Sequence, residues 1–198
     1  YSASKGAAEL VVSSYRRSFF SGTVTDMPAL ASARAGNVIG GGDWAPERLV
    51  PDIVRAAVDG TVLRIRNPAA VRPWQHVINP LSGYLTLAQS LWDSPDLAGG
   101  WNFGPEDADA RPVSSIVEAM REQWDGRPAW EGAPGPHPHE AAHLKLDSSR
   151  AQQLLGWRGL VGLDDGLASV VEWHRALIAG DDMRAVTLRQ LHELAGLR

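Results

Sequence analysis

Tyr1 and Lys5 stand four residues apart in the run Tyr1-Ser2-Ala3-Ser4-Lys5-Gly6-Ala7-Ala8-Glu9. On a helix that spacing puts both side chains on one face. An ammonium beside a phenol favours the phenolate and lowers a pKa that is ordinarily about 10. Such a tyrosine takes a proton from a sugar hydroxyl while a hydride leaves the same carbon. The lysine can also hydrogen-bond the ribose of a nicotinamide cofactor. A second chemical signal is the excess of arginine, 17 against 2 lysines. Guanidinium forks suit phosphate binding, although a GC-rich genome produces the same bias. A third is His139-Glu140-Ala141-Ala142-His143, which matches H-E-x-x-H. Zinc chemistry there needs both histidines on one face of a sustained helix. Pro134, Pro136 and Pro138 precede the motif and the alternating Leu144-Lys145-Leu146-Asp147 follows it. No metal site is expected.

These groups need elements to hold them. Residues 1–20 read as a helix, with Leu10, Tyr15 and Phe19 at roughly helical spacing. Residues 31–39 form an apolar run ending at Gly40-Gly41-Gly42, which predicts one buried strand and a tight loop. Helices are expected over 46–59, 80–92, 112–124, 148–155, 163–179 and 181–195, the last two with acidic residues in the first turn. Strands are expected over 61–66, 74–78, 100–103 and 143–147. Strands alternating with helices define an α/β chain. Gly36 and Gly40 to Gly42 do not make the G-x-G-x-x-G turn that cradles a dinucleotide, and no other segment does.

The 198 residues carry a net charge of -4 and no block of like charges, which argues against binding nucleic acid through phosphate electrostatics. No apolar stretch reaches the ~18 residues of a membrane span, and no signal peptide is visible. Cysteine is absent, which excludes disulfides and thiol catalysis. A cytoplasmic globular protein is expected. The chain opens on Tyr1, inside a helical pattern, which reads as a piece of a longer protein.

The string from Tyr1 to Glu9 resembles the active-site helix of extended short-chain dehydrogenases. Further strings narrow the resemblance: Arg34-Ala35-Gly36-Asn37-Val38-Ile39-Gly40-Gly41-Gly42-Asp43-Trp44, Arg48-Leu49-Val50-Pro51-Asp52-Ile53, Arg66-Asn67-Pro68, Arg72-Pro73-Trp74-Gln75-His76-Val77, Pro80-Leu81-Ser82-Gly83-Tyr84, Trp101-Asn102-Phe103-Gly104-Pro105, His137-Pro138-His139-Glu140-Ala141 and Leu144-Lys145-Leu146-Asp147. Together they resemble the CDP-glucose 4,6-dehydratase family, C-terminal portion only. The resemblance implies an α/β fold: a remnant of a Rossmann-type parallel sheet over 1–45, and a smaller nucleotide-sugar-binding domain over 46–198. Residues 74–104 of the latter are expected to pack back on the Rossmann part.

It further implies NAD as cofactor and oxidation of CDP-glucose at C4, loss of water across C5 and C6, and return of the hydride to C6. By the same resemblance Tyr1 is the base, and Lys5 is its partner and a ribose contact. Val38 lies beside the nicotinamide, and Asn37 contacts the nucleotide sugar. Arg48 and Leu49 line the pocket. Arg64 and Arg66 pass the nucleotide base, and Arg72 pairs with the diphosphate, a task suited to a fork of donors. Asn102 and His139 close the nucleotide site. A homo-oligomer is implied, helped by Val11, Val12 and Phe19 if they are not buried. The family's cofactor loop and elimination carboxylates precede the tyrosine, so these residues alone are expected to be inactive. Two alternatives stand beside this one: another extended dehydrogenase acting on a different nucleotide sugar, and a non-catalytic binding module.

Overall fold

The structure is a computed structural model and describes residues 2–20, 29–135 and 141–196. Helix α1 spans Ser2–Phe19 and is followed by two short strands, β1 (Ser32–Ala35) and β2 (Asn37–Ile39). One strand was expected over 31–39. Gly36 separates the two; a Cβ there would lie 2.6 Å from the carbonyl oxygen of Pro73, so only glycine fits where the chain bends against the neighbouring strand. Helix α2 spans Leu49–Asp59 and ends at Gly60, whose left-handed conformation directs its N–H to the Ala56 carbonyl. Strands β3 (Leu63–Ile65) and β4 (Val71–His76) lead to helix α3 (Ile78–Asp93). Then come β5 (Gly100–Phe103), β6 (Ala110–Pro112), α4 (Val113–Gln123), β7 (Trp130–Gly132), α5 (Ser149–Leu155), α6 (Leu163–Ala179) and α7 (Met183–Leu194).

The strands pair across long sequence distances. β1 runs parallel to β5 with Ser32 opposite Gly100 and Ala35 opposite Phe103. β2 runs parallel to β4 with Asn37 opposite Trp74, Val38 opposite Gln75 and Ile39 opposite His76. β6 adds to β4 antiparallel, and β3 pairs with β7 in parallel. Strand β4 starts three residues earlier than the 74–78 pattern, because Val71 to Pro73 find partners in β6. The alternation over 143–147 yields one isolated bridge, Val71 to His143, and no strand.

Burial explains why these elements form. The larger core joins α2, β3, α4 and α6 around Ile53, Val54, Ile116, Val117, Met120, Leu167 and Val170. A second core sets α3 and α5 on β5 through Leu87, Trp101, Phe103, Ala151 and Trp157. The Phe103 ring meets Trp157 edge-on at 5.0 Å between centroids, an arrangement favoured by the ring quadrupoles. Asn79, only 3% exposed, stitches the start of α3 to the segment before α6. Its Oδ1 accepts from the backbone N–H of Leu160 at 2.8 Å and of Val161 at 3.0 Å, and its Nδ2 donates to the Val161 carbonyl at 2.8 Å. At α7 the first turn carries no acidic residue; Asp182 sits at the cap instead and accepts from the backbone of Arg184 and Ala185.

Candidate active site

The face of α1 that carries Lys5 continues through Glu9, one turn further on. Glu9 docks on β1: Arg34 donates Nε and Nη2 to its two oxygens at 2.7 and 2.9 Å, and the Ser32 hydroxyl adds a third bond at 2.9 Å. The Arg34 fork holds the Glu9 carboxyl down at about 2. Arg34 Nη1 also donates to Asn102 Oδ1 at 3.0 Å, and Asn102 Nδ2 donates to the Asp147 carbonyl at 3.1 Å. The start of the chain is therefore positioned by a charged relay from α1 across β1 to β5. The relay joins residues 25 and 68 apart, so no local pattern announces it.

Asn37 and Val38 sit on β2 directly after the bend at Gly36. Val38 presents an exposed apolar side chain. Opposite it on β4, Gln75 is buried and donates Nε2 to the Phe103 carbonyl at 2.7 Å. That bond ties the β2–β4 pair to the β1–β5 pair, and Gln75 Oε1 stays buried without a hydrogen-bond partner among the described residues. Arg72, two residues earlier, is buried as well; its Nη1 donates to the Val71 carbonyl at 2.9 Å and to the Ala141 carbonyl at 2.7 Å. It thereby holds the chain after residue 140 against β4.

Arg48 caps α2 from an exposed position, while Leu49 opens the helix and packs on the larger core. Arg64 is exposed on β3 and pairs with Glu131 of β7 at 3.0 Å. Arg66 is exposed just beyond the strand. The arrangement thus brings Asn37, Val38 and Arg72 together on one strand pair, and places Asn102 beside the α1 relay. Arg64 and Arg66 belong to a separate pair. Tyr1 and His139 lie outside the described residues. So does Glu140, and the residues that follow it, 141–143, form no helical turn of the kind the H-E-x-x-H reading would need.

Sequence reasoning passed over Gln75 and His76, because a strand buried on both faces gives its polar residues no distinct pattern. Burial pushes His76 down to about 4 from an ordinary 6.5, and its Nδ1 accepts from the Ile78 N–H at 3.4 Å. His174, buried on α6, is pushed down for the same reason. A group with a lowered folded-state pKa binds more protons when unfolded. Its stabilisation is complete above pH 6.5 and is lost as pH falls towards 4. For His76 the loss amounts to about 3 kcal/mol. Urea midpoints at pH 7.5, 5.5 and 4.5 (roughly spanning that window) are expected to fall steadily in the native chain and less steeply in His76→Gln. Equal slopes would remove His76 as the cause.

Parallel strand pairs with helices packed against them, and an N-terminal helix carrying the lysine, define a partial Rossmann-type α/β protein. The fold is that of extended short-chain dehydrogenases of the NAD-dependent epimerase/dehydratase kind. It superposes on UDP-glucuronic acid 4-epimerase from Bacillus cereus, solved with UDP-glucuronic acid and NAD, with a TM-score of 0.75 at 16% identity, covering 88% of this chain and 52% of that one. It matches dTDP-glucose 4,6-dehydratase from Bacillus anthracis, solved with NAD, with a TM-score of 0.69 at 18% identity, covering 88% and 51%. In sequence, the chain is 48% identical over 196 residues to CDP-glucose 4,6-dehydratase of Salmonella typhimurium, across 98% of this chain and 55% of that protein. The chain spans about half the length of the curated relatives it matches. No family model matches it. Among the described residues no helix is long and apolar enough to cross a membrane.

Proposed function

We propose that this chain is the tyrosine-bearing, nucleotide-sugar-binding part of a cytoplasmic CDP-glucose 4,6-dehydratase. The observation that carries the reading is the 48% identity to the Salmonella enzyme over 98% of the chain. Bound NAD would supply the hydride acceptor for C4 and the hydride for C6. The fit to that cofactor is partial. Lys5 offers donors to a ribose, and Val38 offers an exposed apolar surface to the nicotinamide. The pyrophosphate would need a cradle that these 198 residues lack in its G-x-G-x-x-G form.

On this reading Tyr1 takes the C4 hydroxyl proton, with Lys5 favouring its phenolate. Asn37 orients the nucleotide sugar from β2, Arg48 and Leu49 line its pocket, and Arg72 faces the diphosphate from β4. Arg64 and Arg66 pass the base, and Asn102 and His139 close the site. The exposed Leu10, Val11, Tyr15 and Phe19 on α1 support a homo-oligomer formed through that helix.

The test is turnover by the protein expressed from its full reading frame. CDP-glucose with NAD is expected to give CDP-4-dehydro-6-deoxyglucose, and dTDP-glucose and UDP-glucose are expected to react at least tenfold more slowly (about 1.4 kcal/mol of discrimination). A faster reaction with another nucleotide would reassign the substrate. An epimer without loss of water would reassign the reaction.

A further inference from the structure

Trp173 and His174 lie on α6, far along the chain from every candidate site residue, yet both press on the loop that leaves β2. A Cβ at Gly41 would overlap the Trp173 indole, so only bare backbone fits there. Gly42 follows with φ of +80°, and a Cβ on it would sit 3.3 Å from the same ring. Trp44 stands edge-on to His174 with centroids 5.2 Å apart, and Trp173 does so at 5.1 Å.

The clamp is itself braced. His174 Nδ1 bonds the Val170 carbonyl at 2.8 Å, which fixes the ring on its own helix. Trp173 Nε1 donates to the Thr187 hydroxyl of α7 at 2.9 Å. Arg55 of α2 also holds the loop, donating to the carbonyls of Trp44 at 3.0 Å and Ala45 at 3.3 Å. The loop so held begins after Asn37 and Val38 and ends at Arg48 and Leu49.

We propose that Trp173 and His174 are positioning residues: by clamping residues 40–45 they set the separation of Asn37 from Arg48, and with it the affinity for the nucleotide sugar, without touching the ligand. The proposal rests on reading Asn37 and Arg48 as nucleotide-sugar contacts. It gives α6 and α7 a part in binding, and it explains the glycines at 41 and 42 of the loop after β2. A flexible turn would not need Gly41 to be free of a side chain; a backbone laid on an indole does.

The test compares Gly41→Ala, Trp173→Leu, Trp173→Phe and the double variant Gly41→Ala/Trp173→Leu in the protein expressed from its full reading frame. Gly41→Ala and Trp173→Leu are each expected to raise the KM for CDP-glucose about tenfold, with kcat within about threefold, the signature of lost ligand binding rather than lost chemistry. Trp173→Phe keeps a ring under the loop and is expected to stay near the native KM. In the double variant the shorter side chain makes room for the new methyl, so its KM should lie below the product of the two single effects.

Tryptic cleavage after the exposed Arg48 supplies a readout that needs no substrate. It is expected to quicken about tenfold in both single variants, as a released loop becomes available to the protease. Unchanged KM in folded Gly41→Ala and Trp173→Leu proteins, or equal cleavage rates after Arg48, would overturn the proposal. If the native protein binds no CDP-glucose, the functional reading fails; faster cleavage would still uphold the clamp, and unchanged cleavage would dismiss it too.

Discussion

On the proposed function, Tyr1→Phe is expected to slow turnover of CDP-glucose by about 10²–10⁴-fold, the usual worth of a positioned general base. The KM is expected to change only a few-fold, since the ring remains and only the phenolic oxygen is lost. Lys5→Met is the informative companion. On the proposed function the ammonium favours the Tyr1 phenolate, so its removal should move the acid limb of the pH–rate profile to higher pH. Part of the activity should therefore return at alkaline pH in Lys5→Met, and none of it in Tyr1→Phe. Lys5 is on a helix whose next turn is anchored to β1 by the Arg34–Glu9 fork, so the Met variant is expected to leave the helix in place. Near-native turnover in Tyr1→Phe would place the base elsewhere. A loss in Lys5→Met that is equal at every pH would confine the lysine to cofactor binding.

Asn79→Leu is expected to be the most damaging conservative-volume substitution, at about 3–5 kcal/mol. It leaves the N–H groups of Leu160 and Val161 and the carbonyl of Val161 without their partner. Each orphaned buried group costs about 1–3 kcal/mol. For a chain of this size each kcal/mol moves the thermal midpoint by about 2–4 °C, so the midpoint should drop by roughly 6–20 °C. The effect is larger than a surface ion pair could give. The Arg64–Glu131 pair, with both side chains more than half exposed, belongs to the class worth about 0–1 kcal/mol. A loss below 1 kcal/mol (about the worth of one net hydrogen bond) on Asn79→Leu would mean that water replaces the side chain at the 160–161 turn.

What could be read ahead of the structure follows a physical divide. Helix α6 was legible at both ends: its apolar periodicity is long, and Gly162 and Gly180 flank it, the latter in a left-handed conformation that stops the helix. The strand after the first helix was legible in place and not in form, because the break at Gly36 answers to the Pro73 carbonyl, a neighbour from another strand. Strands β6 and β7 hold three residues each, too few for any period to show.

The site divides the same way. Lys5, Asn37, Val38 and Arg72 could be named from strings that resemble a family. The Glu9–Arg34–Asn102 relay, the Gln75 strap and the Trp173–His174 clamp join residues that only the tertiary fold brings together. Their residue types, a half-buried glutamate or a tryptophan on an amphipathic helix, are ordinary wherever they occur. The alternation at 143–147 misled for the converse reason. A period of two predicts a strand only where an edge is free to receive it, and there the contact stops after the bridge from Val71 to His143.

The parallel pairing of β1 with β5 also governs how the chain must come into being. Ser32 waits for Gly100, 68 positions further on, and the stretch between them includes α2, β3, β4 and α3. At translation rates of about 5–20 residues per second, β1 is made roughly 3–14 s before its partner strand exists. During that interval Ala33 and Ala35 have no β5 to hydrogen-bond, and Arg34 has no Asn102. The nascent α1–β1 unit is held by its own Glu9 fork, and the long loop closure must be completed before β5 rewards it. Synthesis that stalls before Phe103 leaves an open parallel edge, the species on which chaperones act.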